Sequence, residues 1–195
     1  MSKILIAYTT NSGSTAEVAD VIAETLRQEH NTVEVRRLEE VDDLEPYQAV
    51  LIGAPMILGW HKAALNFIKK NHRSLACKKV AYFCMAMSLT QGGGGKSVPT
   101  SLWIDPDLSK PPRRPGKLSL KERYATVANY IAPMLKRAPD VKPLSIAFFG
   151  GKLELFRLKW WQILFVMVVV GAQPGDRRSW PAIREWAGSL GAVLL

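Results

Sequence analysis

The residues best suited to chemistry lie in a short polar stretch close to the N-terminus. Four of its members carry hydroxyl groups and another is a glycine, and the stretch comprises Thr10, Asn11, Ser12, Gly13, Ser14 and Thr15. Hydroxyls and free backbone N–H groups are donors that can hold a phosphate. A glycine allows the backbone to turn tightly around such an anion. The stretch therefore predicts an anion site of the kind that cradles a phosphate.

The elements on either side of this stretch would position it for that task. Residues 4–8 form an apolar run without alternation, which is typical of a strand buried on both faces of a parallel sheet. Apolar residues then recur at helical spacing from Val18 to Leu26, which predicts an amphipathic helix. Ser14 and Glu17 have the spacing of a capping box and predict a helix start near Thr15.

The charge pattern indicates which kind of phosphate would fit. No Lys or Arg lies between Lys3 and Arg27, so neutral donors alone would hold the anion. This suits a tethered monophosphate better than a triphosphate with magnesium. The alternative is an ordinary polar connection between a strand and a helix.

This loop resembles the FMN-phosphate loop of the flavodoxins, with Asn11 standing where that family often has a hydroxyl residue. The resemblance implies an FMN cofactor. It also implies a three-layer α/β fold, with a five-stranded parallel sheet in the order 2-1-3-4-5 and helices on both faces. Runs of strand-forming residues at 32–36, 49–54, 79–86 and 144–149 fit the four remaining strands.

In such a sheet the cofactor lies where the strand order reverses, between strands 1 and 3. The loop after the third strand would therefore form the second wall of the site. Its candidate cofactor-binding residues are Pro55, Met56, Ile57, Leu58, Gly59 and Trp60. Flavodoxins commonly place an aromatic ring on the flavin here, which makes Trp60 the candidate. The alternative is a Trp that covers the core.

The end of the fourth strand would supply the third wall, where backbone groups would meet the polar edge of the flavin. The candidate cofactor-binding residues there are Ala86, Met87, Ser88 and Leu89. The glycine run that follows is not a P-loop, because Thr90 occupies the position where that motif needs its first glycine before Lys96. No side chain stands out as a catalytic base, and none is assigned.

Residues 92–117 predict a long irregular insertion beside the site, rich in glycine, proline and basic residues. Long loops of this kind are either functional or mobile. We therefore consider two interpretations, a basic lid over an acidic substrate and a mobile surface loop. A helix is predicted after it, over residues 120–137.

A second unusual segment covers residues 153–172. Its first part is amphipathic and contains Arg157, Lys159, Trp160 and Trp161, and it becomes wholly apolar from Ile163. The apolar part is shorter than the roughly 20 residues that a membrane span needs. A core helix, a strand and an interfacial element that lies on a membrane surface all remain open. A loop at 175–178 and a closing helix over 181–190 are predicted to follow.

Bulk properties predict a single domain of 195 residues with a full core. The net charge of +9 favours acidic ligands or anionic lipid, and no nucleic-acid-binding motif is present. Cys77 and Cys84 match no metal or redox spacing and indicate reduced thiols. The chain enters its first strand at once, leaving no room for a signal peptide, so we expect a cytoplasmic protein, peripheral on the inner face of the cell membrane if it reduces a quinone.

A more specific resemblance rests on the C-terminal half and on Gly53 to Gly59. The apolar run, Gly171, Asp176, Arg177 and the helix from Trp180 to Trp186 are similar to the menaquinone-dependent protoporphyrinogen IX dehydrogenases. The insertion at 92–117 departs from that family. The resemblance implies an FMN-dependent enzyme that takes hydride from a porphyrinogen and passes electrons to a quinone. Alternatives are an electron-carrying flavodoxin, an NAD(P)H-quinone reductase and a binding module without flavin.

Overall fold

The computed structural model describes residues 2–56, 59–91, 100–114, 117–153 and 175–194. The segment predicted as apolar, 153–172, lies almost wholly outside these residues, as do Ile57 and Leu58.

A parallel sheet of six strands forms the centre of the molecule. Its order is β2-β1-β3-β4-β8-β6, and its first five positions reproduce the predicted order 2-1-3-4-5. The apolar runs become strands because β1, β3, β4 and β8 have strand neighbours on both sides for their backbone hydrogen bonds and are buried along nearly their whole length. The strands are β1 (Lys3–Tyr8), β2 (Thr32–Arg37), β3 (Ala49–Pro55), β4 (Lys79–Ala86), β6 (Ser101–Ile104) and β8 (Ser145–Gly150).

Helices cover both faces of the sheet, as predicted. Alternate residues of β1 and β3 face opposite sides, so Ile4 and Ile6 join one core and Leu5 and Ala7 the other. The first core contains α1 (Ser14–Gln28) and α6 (Trp180–Leu194), and the second contains α2 (Lys62–Lys70), α3 (His72–Ala76) and α5 (Val127–Arg137). The remaining short elements are a 3-10 helix (Leu38–Glu40), α4 (Leu120–Tyr124), β5 (Leu89–Thr90), β7 (Ser109–Lys110), β9 (Lys152–Leu153) and β10 (Gly175–Asp176).

The sixth strand was not predicted. It comes from the insertion, which was expected to be irregular over 92–117. Residues Ser101–Ile104 instead pair in parallel with β8, and Ser109–Lys110 pair in parallel with β5. The insertion is thus tied to the central sheet by Ser101–Ile104, because the edge of β8 offers unpaired backbone groups that another strand can satisfy. Its pairing with β5 forms a separate sheet of two strands.

The helix predicted over residues 120–137 is broken in two. Thr126 has extended backbone angles and begins α5 as its N-cap residue, and its hydroxyl donates to the carbonyl of Arg123 at 3.0 Å. The last turn of α4 is therefore closed by a side chain, and the chain changes direction between the two helices.

The closing helix α6 is longer than predicted, running from Trp180 to Leu194. Trp186 anchors it, fully buried between the rings of Phe83 and Phe149, and its indole N–H donates to the Ser145 hydroxyl at 3.0 Å. Among the described residues, no helix combines the length and apolarity needed to cross a membrane.

Candidate functional site

Backbone hydrogen bonds connect the ends of four strands, β1, β3, β4 and β8, at the carboxyl edge of the sheet. The Thr9 N–H donates to the Gly53 carbonyl at 3.0 Å, and the Met56 N–H donates to the Met85 carbonyl at 2.8 Å. At β8, the Gly151 N–H donates to the Ala86 carbonyl at 2.9 Å. These bonds join the three loops that the sequence predicted as the walls of a cofactor site. The edge also contains the reversal of strand order beside β1, where ligands of open α/β sheets bind.

The hydroxyl loop between β1 and α1 takes the form of a tight turn into the helix. Gly13 is the N-cap residue of α1 and lies in the left-handed region, with φ 93°. The Thr10 hydroxyl accepts a hydrogen bond from the Gly13 N–H at 2.9 Å, which closes the turn. A residue with a Cβ would be strained at this φ, so glycine suits this position.

The predicted capping box of Ser14 and Glu17 does not form, and that prediction is wrong. The helix begins at Ser14, one residue earlier than expected, and no side chain caps it. The Gly13 carbonyl accepts instead from the Ala16 and Glu17 N–H groups, at 3.0 and 3.2 Å. Because the left-handed glycine occupies the N-cap position, Ser14 lies inside the helix and cannot cap it.

The start of α1 fits a phosphate group. Ser14 and Thr15 are buried there, and Thr15 is 0% exposed. The Thr15 hydroxyl oxygen is buried and has no hydrogen-bond partner among the described residues. The first N–H groups of a helix also lack partners within the helix and favour negative charge. An unpartnered buried hydroxyl is costly, and an anion oxygen at this position would satisfy it.

One cation comes close to this helix start, although the sequence predicted none. The Arg178 guanidinium forms ion pairs with two carboxylates. Its Nη1 lies 2.7 Å from Glu17 Oε2, and its Nη2 lies 2.6 Å from Asp176 Oδ2. Its side chain is only 3% exposed and lies over the Trp180 ring. The hydrogen bonds from Arg178 hold the pKa of Asp176 below its usual value. Two carboxylates thus already neutralise Arg178, and the loop itself still offers only neutral donors.

The second predicted wall follows β3. Pro55 and Met56 are buried, and Met56 forms an antiparallel bridge with Trp60, which closes a short loop. Gly59 lies in this loop with φ 116°, again in the left-handed region. The Tyr124 hydroxyl of α4 lies 3.7 Å from where a Cβ of Gly59 would be. The loop therefore lies next to α4.

Trp60 is buried rather than presented at the surface of the site. It is 4% exposed and meets the Tyr82 ring edge-on, with 5.4 Å between ring centroids. Its indole N–H has no partner among the described residues. This position corresponds to the core-covering alternative, and a contact between Trp60 and a flavin stays a prediction. His61 begins α2, where its Nδ1 accepts from the Ala63 N–H at 3.3 Å.

The third predicted wall follows β4 without a break. Ala86 and Leu89 are buried, Met87 is half-buried and Ser88 is exposed. The Leu89 N–H donates to the Leu108 carbonyl at 3.0 Å, so this wall is fastened to the insertion. The hydrogen bond from Met56 to Met85 at the end of β4 holds the second wall beside it.

Sequence reasoning missed Asp105, a fully buried acidic residue at the end of β6. Its carboxylate accepts from the Asp107 N–H at 3.1 Å and from the Gly150 N–H at 3.5 Å. The side chain joins the sixth strand to the end of β8. The only local signal is the Asp-Pro-Asp sequence at 105–107, which is typical of a turn closed by an aspartate.

The chain is similar in sequence or in fold to several known proteins. A protoporphyrinogen IX dehydrogenase [quinone] of Leishmania major is 24% identical over 209 residues, which cover 99% of this chain and 76% of that protein. A short-chain flavodoxin associated with a non-canonical PDU bacterial microcompartment superposes with a TM-score of 0.54 at 10% identity over 100% of both chains. The rubredoxin oxygen:oxidoreductase of Desulfovibrio gigas gives 0.51 at 15% identity, covering 98% of this chain and 36% of that one.

The two structural likenesses support the flavodoxin-like fold and no activity. Residues 5–178 match the family model described as a flavodoxin domain. The matched stretch includes the hydroxyl loop, all three predicted walls and the central sheet, and it therefore also supports the predicted FMN cofactor. Because the match extends over most of the chain and agrees with the strand order, this chain belongs to the flavodoxin domain family.

Proposed function

We propose that this chain is an FMN-dependent oxidoreductase of the protoporphyrinogen IX dehydrogenase type, with a quinone as electron acceptor. The observation that carries the FMN part is the unpartnered, buried hydroxyl of Thr15 at the start of α1. It lies in the first turn of α1, directly after the loop that follows β1, in a chain that belongs to the flavodoxin domain family. When bound, FMN would supply the chemistry of hydride acceptance and electron transfer.

The residues of this chain would bind and orient the cofactor. The Ser12 and Thr15 hydroxyls and the first N–H groups of α1 would hold the phosphate. The backbone from Ala86 to Leu89 would face the polar edge of the isoalloxazine ring, and the loop from Pro55 to Trp60 would lie on its other side. Met56 and Leu89 are buried in the second core, which anchors both of these walls to the sheet.

The substrate part rests on the Leishmania relative. That protein is named for protoporphyrinogen IX and a quinone, and it is similar over almost the whole of this chain. The basic character of the chain agrees with an acidic substrate, since its net charge is +9. An electron-carrying flavodoxin without a substrate of its own is the second candidate, but such carriers are typically acidic. An NAD(P)H-quinone reductase is the third.

A quinone acceptor would also place the protein at a membrane. We propose peripheral contact with the inner face of the cell membrane, made by the segment that begins with Arg157, Lys159, Trp160 and Trp161. Flotation with anionic and neutral vesicles tests it. Wild-type protein should float with anionic vesicles in a salt-sensitive way, and Trp160→Ser with Trp161→Ser should reduce flotation while FMN stays bound. A wild type that floats with neither vesicle contradicts the membrane contact.

Anaerobic reduction of the purified flavoprotein tests the proposed function. Protoporphyrinogen IX, NADH and NADPH are mixed separately with the protein, and the flavin absorbance is followed. We expect protoporphyrinogen IX to bleach the flavin fastest, and a quinone added afterwards to restore the absorbance. Faster bleaching by NADPH would favour the reductase. A flavin that no member of the panel reduces would favour the electron carrier.

A further inference from the structure

A cavity of about 520 Å³ opens beside the third wall of the site. Ser88 and Thr90 line its inner side, and its outer side carries four cationic residues, Lys110, Arg113, Arg114 and Lys117. We call this cavity the basic pocket. Ser88 and Leu89, two of the four predicted flavin contacts after β4, also line the basic pocket, so a ligand that reached the flavin could extend into it.

The four cations of the basic pocket are available to a ligand. All four side chains are exposed, and none of them is within ion-pair distance of a carboxylate in the described ranges. A cluster of like charges without partners is unfavourable for the protein alone, and it gains stability when an anion binds. The four exposed cations can therefore receive an anionic ligand without breaking an ion pair within the described residues.

One acidic residue also lines the basic pocket, and the backbone engages its carboxylate. Glu122 accepts from the Arg113 N–H and from the Ser119 N–H, both at 2.7 Å. These two backbone hydrogen bonds lower the pKa of Glu122 to about 2, so it stays charged near neutral pH. Its role is to fix the segment that carries Arg113. The lining keeps an excess of positive charge because Glu122 opposes four cations.

Backbone pairing holds the basic pocket next to the sheet. The Gln91 N–H donates to the Lys110 carbonyl at 2.8 Å, and the Thr90 N–H donates to the Ala125 carbonyl at 2.8 Å. Both sides of the basic pocket are thus fastened to β5, which continues directly from β4. The backbone that carries Lys110 is consequently held next to the third wall.

Apolar surface lies between the basic pocket and the second wall. Leu120 and Tyr124 of α4 are 83% and 51% exposed. The Tyr124 hydroxyl is beside Gly59 of the second wall, while Leu118 lines the basic pocket. A ligand lying along α4 would meet apolar side chains at one end and cations at the other.

We propose that the basic pocket binds the carboxylate groups of the substrate, with the apolar part of the substrate along α4. The inference rests on the proposed function for the position of the flavin. Lys and Arg side chains form strong, charge-assisted hydrogen bonds with carboxylates. Phosphates of a dinucleotide share this chemistry, and the experiment below separates the two sources.

Equilibrium binding tests this proposal without any turnover. Protoporphyrin IX, its dimethyl ester and NADPH are each titrated into the holoprotein, and binding is followed by quenching of tryptophan fluorescence. We expect protoporphyrin IX to bind more tightly than the dimethyl ester by about tenfold or more, since the ester lacks the charged oxygens. Equal binding of acid and ester would overturn the proposal, and so would tighter binding of NADPH than of protoporphyrin IX.

A pair of charge-matched variants locates the effect. R113Q with R114Q removes two cations of the basic pocket, and K69Q with K70Q removes two exposed cations at the end of α2. We expect the first variant to weaken protoporphyrin IX binding about tenfold or more and to flatten its dependence on salt. The second should change it less than about twofold. Equal losses in the two variants would overturn the proposal, because they would indicate diffuse attraction.

These titrations distinguish a failure of the basic pocket from a failure of the proposed function. If protoporphyrinogen fails to reduce the flavin but these titrations behave as expected, the ligand class of the basic pocket stands and the reaction does not. If reduction succeeds and R113Q with R114Q binds like the wild type, the reaction stands and the basic pocket does not hold the carboxylates. Circular dichroism and FMN content verify that both variants are folded.

Discussion

The hydroxyl loop at residues 9–15 and the basic pocket lie at the same edge of the sheet, yet they offer opposite means of binding an anion. The loop has no cation of its own, and its donors are hydroxyls and helix N–H groups fixed by Gly13. The basic pocket has four exposed cations and few fixed donors. Fixed neutral donors recognise one geometry, whereas flexible cations tolerate several. The first suits a resident cofactor and the second an exchangeable substrate.

The largest expected effect is a loss of FMN affinity when hydroxyl groups of the hydroxyl loop are removed. Ser12→Ala with Thr15→Val removes two hydroxyl donors to a charged oxygen, each worth roughly 1.5–3 kcal/mol. We expect FMN affinity to fall by about 100-fold or more, measured by titration of the apoprotein with FMN.

A matched control for this variant lies in the same helix. The Thr25 hydroxyl donates to the Val21 carbonyl of its own helix at 2.9 Å, so Thr25→Val should leave FMN affinity nearly unchanged. Unchanged FMN retention in the Ser12 and Thr15 double variant would remove the loop from the cofactor site.

The salt dependence of binding should also differ between the basic pocket and the hydroxyl loop, with a smaller effect than the substitutions above. Raising the salt concentration from about 0.1 M to about 1 M shortens the Debye length from about 10 Å to about 3 Å. The affinity for protoporphyrin IX should fall several-fold, because exposed cations supply it. FMN affinity should fall much less. The same titrations at both concentrations measure this, and equal salt dependence for the two ligands would contradict the distinction.

Trp60→Phe tests the second wall. Stacking on the flavin predicts that part of the tryptophan quenching by FMN disappears in the variant. Core packing predicts that the quenching persists. It also predicts that thermal stability falls, because the smaller Phe ring leaves part of the buried volume of the indole unfilled. With 4% of Trp60 exposed and its edge against Tyr82, we expect the second result. Fluorescence of holo- and apoprotein, with the unfolding midpoint, decides between them.

The smallest expected effect is a pH dependence from Glu122. Its pKa is lowered from 4.5 to about 2, so its stabilising contribution is fully present above about pH 4.5. The contribution is lost as the pH falls toward about 2, where the folded protein also binds the proton. The difference in unfolding midpoint between wild type and Glu122→Gln should therefore shrink across that window. A difference that is constant from pH 6 to about pH 2 would contradict the assignment.

Much of the sheet could be predicted from the sequence because its strands are buried on both faces. Continuous apolar runs, as in β3 and β4, have few alternatives in a chain of this size. The hydroxyl loop was recognisable because its residues are consecutive. Local patterns are sufficient when the structural constraint is itself local.

The features that were missed depend on contacts between distant residues. Ser101–Ile104 is half-exposed and short, and only the free edge of β8 makes it a strand. The basic pocket gathers Ser88 and Lys117 from either side of that strand. Glu17 fits a capping box by spacing, but its carboxylate pairs with Arg178, which is 161 residues away. No local pattern carries that information.

Titration of the apoprotein with FMN and with riboflavin tests the central claim most directly, since the two ligands differ only in the phosphate. The hydroxyl loop at the start of α1 predicts that FMN binds at one per chain and that riboflavin binds at least about 100-fold more weakly, because it leaves the Thr15 hydroxyl and the helix N–H groups without a partner. Equal affinity for the two ligands, or no binding of FMN, would contradict the account.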